Sequence, residues 1–254
     1  MNSNNNPTTG LKHWVYSLGR WFSLDTLLGV VAIQLNLLQP VTWHQWGLIG
    51  GLCMATSLCY MIDRCMDAMW GHDSHSHRHR LYANHPIALI ASVVILSLIA
   101  LVFWYHLPTN AQWQLLGLGV GFMVHLACLY LQWYRSLKAI PTALIFTLVM
   151  LTIASIPNLA TWGALIFVYA LLNLHMHTCM EHRKGHWLTP SQMGTTIGIG
   201  GLVLLASYGI QPWITLVFGM GILSHWALFF TESHHWFEWG EVCFAWPFLL
   251  VALV

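Results

Sequence analysis

From Leu24 to Val254 the chain is a succession of apolar runs separated by short polar breaks. The runs are roughly 15 to 25 residues long, the length a helix needs to cross a bilayer core of about 30 Å. Nine helices are predicted, over 22–39, 44–70, 86–106, 111–134, 138–155, 158–181, 191–209, 212–231 and 240–254. The breaks coincide with Pro40, Pro108, Pro157 and Pro212, whose rings bias the preceding residues Gln39, Leu107, Ile156 and Gln211 away from helix. Pro86 and Pro190 stand where helices three and seven open, a position at which the missing N–H costs nothing. The expected fold class is all-α, a polytopic membrane bundle in one domain over 22–254. Residues 1–21 form a polar tail and interfacial segment without the charged-then-apolar pattern of a signal peptide.

Composition narrows the class further. Hydrophobic residues make up 57% of the 254 residues and charged residues 7%, a balance that cannot cover the surface of a soluble domain. The chain is therefore expected to contact membrane lipid, and a net charge of +1 gives no reason to expect nucleic acid. The six cysteines form no Cys-x-x-Cys pair and lie in or at the ends of apolar helices, so free thiols are expected. Trp14, Trp21, Trp43, Trp46, Trp104, Trp113, Trp187 and Trp213 fall near predicted helix ends, as interfacial anchors do.

The placement of charge tests the helix count. With nine alternating helices, Lys12, Arg20, Arg64, Arg78, Arg80, Arg135, Lys138, Arg183 and Lys184 all map to the face that carries the N-terminus. The eight acids map to that face too. By the positive-inside rule this face is cytoplasmic, and a bacterial inner membrane is the expected location.

Chemistry concentrates at two helix ends on that face. Helix two finishes Asp63-x-x-x-Asp67, with Arg64 between the acids, and is followed by His72, His75, His77, Arg78, His79 and Arg80. Residues four apart share a helical face, so two carboxylates repel each other there unless a divalent cation, a shared proton or a basic partner intervenes. Helix six finishes Asn173-x-x-x-His177-x-x-x-Glu181, followed by His182, Arg183, Lys184 and His186. The two ends form a parallel repeat that could hold a metal-bound polyanion, with loop Arg and Lys clamping its phosphates. The plain alternative is a solvated, ion-paired helix end with an exposed imidazole tract. His125 and His225 lie mid-helix and are expected to be packed, hydrogen-bonded histidines.

On these residues the chain resembles the UbiA superfamily of intramembrane prenyltransferases, as a divergent member. That family has nine helices, with Asp-rich motifs ending the second and the sixth. Its first motif reads Asn-Asp-x-x-Asp-Arg-x-x-Asp; Asp63-Arg64-Cys65-Met66-Asp67 is similar to the latter half, with Cys59 and Tyr60 in the leading places. A Tyr-Pro-x-x-Lys-Arg element before the family's fifth helix is matched here by Tyr134 and Lys138. The resemblance implies Mg²⁺ bridging an isoprenyl diphosphate donor, whose ionisation leaves an allylic cation for an acceptor in an apolar chamber. It implies Asp63 and Asp67 as catalytic metal ligands, His177 and Glu181 as metal ligands from helix six, and Lys138 as a catalytic phosphate contact. Arg64, Arg78, Arg80, Tyr134, Asn173, Arg183 and Lys184 would surround the substrate. Asn173 and His177 stand where the family prefers Asp, and Mg²⁺ favours oxygen ligands.

Two other function classes compete. A membrane di-iron oxygenase or desaturase, loaded with Fe (or a site holding Zn), could draw on His72 to His79, His175, His177, His182, His234 and His235. A non-catalytic integral subunit or cofactor scaffold, with a membrane-protein partner and histidines ligating haem, chlorophyll or copper, is the third.

Overall fold

A computed structural model describes residues 24–38, 42–69, 85–131, 139–154, 156–181, 188–230 and 236–254. Among them run nine helices and no strand: α1 (Leu24–Leu37), α2 (Trp43–Met69), α3 (Pro86–Tyr105), α4 (Thr109–Tyr130), α5 (Ala139–Leu151), α6 (Leu159–Glu181), α7 (Pro190–Tyr208), α8 (Pro212–Phe230) and α9 (Trp236–Leu253). Each expected helix has its counterpart. The larger boundary differences are the ends of α4 and α5, which stop earlier than expected, and the start of α9, which comes earlier. α5 ends in tight turns, Thr152 N–H to Val149 O and Ala154 N–H to Leu151 O. Asn158 then takes a left-handed φ of 60°, which asparagine tolerates better than most residues with a Cβ, and the chain turns into α6.

Local chemistry accounts for the helix starts. Thr189 caps α7 in a capping box: its hydroxyl accepts from Gln192 N–H, and the Gln192 side chain accepts from Thr189 N–H at 2.9 Å. Pro190 is the first residue of α7 itself, where it has no helical acceptor to miss. Thr42 and Gln45 make the same reciprocal pair at the start of α2.

Five helices, α2, α3, α4, α6 and α8, are long and apolar enough to cross a membrane, and α1, α5 and α9 carry shorter apolar segments. In α3 only Leu89 and Leu96 are buried, and most of its other apolar residues are exposed, the surface expected of a helix in lipid. Trp43, Trp46 and Trp113 are exposed near helix starts, as anchors should be. Trp104 instead locks the α3–α4 corner: its indole N–H donates to Gln112 O at 3.2 Å while the Gln112 amide donates to Trp104 O at 3.0 Å. All six cysteines are free, with Cys53, Cys179 and Cys243 buried and the other three partly so.

The core lies where α1, α6, α8 and α9 meet. α1 packs along α9, α8 and α6 pack against α9 as well, and α7 covers α6 and α8. At the centre Tyr169 stacks on Phe244 and meets Phe218 and Phe248 edge-on. Pro247 sits inside α9, a feature the apolar pattern passes over. Its ring has no N–H, so the carbonyl four residues earlier, that of Cys243, loses its helical partner. The Tyr169 hydroxyl supplies the replacement, donating to Cys243 O at 2.9 Å. Removing only that hydroxyl, Tyr169→Phe, is expected to destabilise the protein by about 1–3 kcal/mol, the cost of a buried carbonyl left without a donor. Chemical denaturation in detergent measures it, and an unchanged midpoint would contradict this account.

Candidate functional site

Between the core and the outer pair α3 and α4 lies a chamber of about 1130 Å³. Its wall is built from α2, α3, α4, α5 and α6, with Thr26 of α1 and Phe244 of α9 contributing. The wall is amphipathic along its length. Tyr60 and Asp63 come from the closing turns of α2, His125 from that of α4, Asn173, His177 and Thr178 from those of α6, and Thr142 from the opening turn of α5. Leu48 and Leu52 of α2, Phe103 of α3, Leu107, and Leu115 and Leu116 of α4 line the other end. The rise along α2 from Leu48 to Asp63 is roughly 22 Å at 1.5 Å per residue. One cavity therefore joins a polar end to an apolar depth on the scale of a lipid chain.

The sequence argument hinges on α2 and α6 sharing a site, and Asp63, Asn173 and His177 do line one chamber. The side chains of Arg64, Asp67 and Glu181 lie outside what the structure describes, as do residues Arg78, Arg80, Tyr134, Lys138, Arg183 and Lys184 and the histidines of 72–79, 182, 186, 234 and 235.

Buried imidazoles organise the wall behind these groups. His225 of α8 is completely buried, donates from Nδ1 to Gly221 O at 2.9 Å, and places Nε2 3.2 Å from Asn173 Oδ1. Asn173 is thus a wall residue whose amide is oriented from behind by α8. His125 Nε2 lies 3.0 Å from Thr142 Oγ1, tying α4 to α5 at the polar end. Both histidines are packed and hydrogen-bonded as expected, but the placement of His125 on the chamber wall has no signal in the sequence. His125 lies in the last two turns of α4 and Thr142 in the first turn of α5, and only the packing of α4 on α5 brings them together.

His175 does not join this group. Residues two apart on an α-helix point about 200° apart. While His177 lines the chamber, His175 turns to α7, with Nε2 3.1 Å from Thr196 Oγ1 and 3.5 Å from Cys179 Sγ. The two therefore cannot serve together in an imidazole cluster. Among the described residues no group of three or more His, Cys, Asp or Glu side chains is placed to hold a metal ion.

Tested against Mg²⁺, the two helix ends differ. The α2 side fits: Asp63 puts a carboxylate on the chamber wall, and Mg²⁺ commonly takes one or two carboxylates together with substrate phosphates. The α6 side fits less well. His177 offers nitrogen, and the Asn173 amide oxygen is drawn to within 3.2 Å of an imidazole. Comparison with protein-family models, with curated proteins and with solved structures gives no match to this chain.

Proposed function

We propose that this protein is a divergent, UbiA-like intramembrane prenyltransferase whose nine helices span the membrane and whose polar chamber end faces the cytoplasm. One observation carries the reading: a single chamber has Asp63 and His177 at its polar end and an apolar depth of aliphatic and aromatic side chains. An isoprenyl diphosphate has that same division, a dianionic or trianionic head on a branched apolar chain. A divalent cation at Asp63 would supply charge neutralisation for the head. Thr178, Tyr60 and the Asn173 amide offer hydrogen bonds around it, and His225 holds that amide in place.

The chemistry divides accordingly. Breaking the carbon–oxygen bond of the donor sends its electron pair to the departing diphosphate and leaves an allylic cation. Walls such as Phe122, Phe146 and Leu174 keep water from that cation. A nucleophilic carbon or heteroatom of the acceptor then forms the new bond and gives up its proton to the released diphosphate. On this reading the head lies on the side of the Lys- and Arg-bearing loops, whose positive charge would favour the released diphosphate.

The deciding experiment uses the unmodified protein in vesicles with a radiolabelled isoprenyl diphosphate. Saturable binding in Mg²⁺ that the parent isoprenyl alcohol does not compete away is the expected result. No binding of the diphosphate removes the proposal. Copurification of a pigment or of a fixed partner subunit in its place supports the scaffold reading.

A further inference from the structure

The residues that wall the chamber are not all inside the protein. Leu101 of α3 and Val120, Met123 and Val124 of α4 line it, yet they are 53% to 60% exposed. The chamber is not enclosed, and side chains that line it while staying exposed mark its rim. All four belong to the same two helices, and all lie within the membrane-length segments Pro86–Tyr105 and Thr109–Leu129. The opening therefore falls within stretches long and apolar enough to cross a bilayer.

The packing explains why the gap is there. α3 packs on α2, whereas α4 packs on α5. The two are tied to each other through the reciprocal Trp104–Gln112 hydrogen bonds at their shared corner. Beyond that corner α3 and α4 do not pack appreciably on each other. By contrast α1 and α9 lie closely along each other, joined by the Asn36 amide donating to Phe248 O at 2.8 Å.

We infer that the chamber is loaded sideways from the bilayer, through a slot between α3 and α4 that passes the apolar chain of a membrane-dissolved amphiphile. Lipid surrounds helices of this composition, and the four residues line the same chamber as Leu48 and Leu52, with its Asp63, His125 and His177 toward one end. A lipid chain therefore suits it, and a folded partner helix would have to seal the chamber to sit there. That the chain is isoprenyl rests on the function proposed above; the slot itself does not.

Gly119 gives a clean way to close the slot. It lines the chamber, and a Cβ built there meets nothing within 4 Å, so a larger side chain can be started there without displacing a neighbour. Gly121, two residues on, is equally uncrowded but is not part of the wall, which makes it the control. The full chain is placed in phosphatidylcholine vesicles with either of two photoactivatable probes. One is an isoprenyl diphosphate carrying the reactive group at its chain end, the other a phosphatidylcholine carrying a diazirine in an acyl chain. Peptide mass spectrometry then reads labelling of the deep α2 wall around Leu48 and Leu52.

In the unmodified protein and in Gly121→Trp the deep wall is expected to be labelled, and in Gly119→Trp that labelling is expected to be lost. Leu116→Trp, at a second wall position, repeats the loss should Gly119→Trp express poorly. Labelling by the phospholipid and not by the isoprenyl probe upholds the slot and defeats the prenyltransferase reading. Labelling that persists in both plugged variants, or that never reaches the α2 wall, overturns the slot. So do cross-links between two copies through Leu101 or Val120, since a second copy would then be the occupant.

Discussion

Gly221→Ala is expected to lower the apparent melting midpoint of the purified protein by roughly 6–12 °C, from a loss of about 3 kcal/mol. A Cβ at this position would lie 2.5 Å from the Tyr169 hydroxyl and 2.7 Å from Pro247 Cγ. Neither neighbour can give way. The tyrosine ring is held by Phe218, Phe244 and Phe248, and its hydroxyl is committed to the Cys243 carbonyl that Pro247 leaves open. The proline ring is part of the α9 backbone. The expected cost combines overpacking, about 1–3 kcal/mol, with disturbance of that hydrogen bond, another 1–3 kcal/mol or so. Gly198→Ala is the control: nothing lies within 4 Å of its Cβ, and helix propensity alone favours alanine by about 0.5–1 kcal/mol. The double variant Gly221→Ala, Tyr169→Phe should lose less than the sum of the single changes, because the atom nearest the new methyl is gone. Full additivity would place the clash elsewhere.

The second large effect concerns Asp63→Asn, and its sign carries the information. Asparagine keeps the shape of the side chain and removes the charge. A carboxylate on the wall repels a diphosphate, so without a bridging cation the substitution should leave binding unchanged or tighten it. With Mg²⁺ present the carboxylate is an attractive element, and its loss should weaken isoprenyl diphosphate binding by about ten- to a hundredfold, the equivalent of one charged contact of 1.5–3 kcal/mol. The measurement is the apparent Kd of the diphosphate in Mg²⁺ and in a chelator, for the unmodified protein and the variant. Equal affinities in both buffers for both proteins would remove Asp63 from any role at the head of the ligand. His177→Ala, on the facing helix, provides the comparison, since an imidazole is a poorer partner for a hard cation.

Much of the architecture is readable without coordinates because its signals are local. Pro108, Pro157 and Pro212 end or open helices through their own covalent chemistry, and the Thr42–Gln45 and Thr189–Gln192 pairs cap helices through contacts three residues apart. Apolar runs of bilayer length mark the spans in the same way. Half of the candidate site is also local: the four-residue spacing that aligns Asp63 with Asp67, and Asn173 with His177, is a property of one helix at a time. Other parts of the site depend on which helix lies beside which, as with Asn173 meeting His225 and His125 meeting Thr142.

That division has a physical cause. In water, an apolar stripe marks the face of a helix that goes inside, so the pattern hints at the partner. Here the helices are apolar nearly all the way round, because lipid and protein interior accept the same side chains. The sequence by itself determined an all-helical chain of membrane-spanning character, the helix limits to within a few residues, and the polar residues that share a helical face. Only the tertiary structure decided that His225 of α8 stands behind Asn173, that Tyr169 completes the backbone that Pro247 interrupts, and that exposed residues of α3 and α4 line the chamber. Those outcomes follow from close packing of particular side chains, which an evenly apolar helix does not announce.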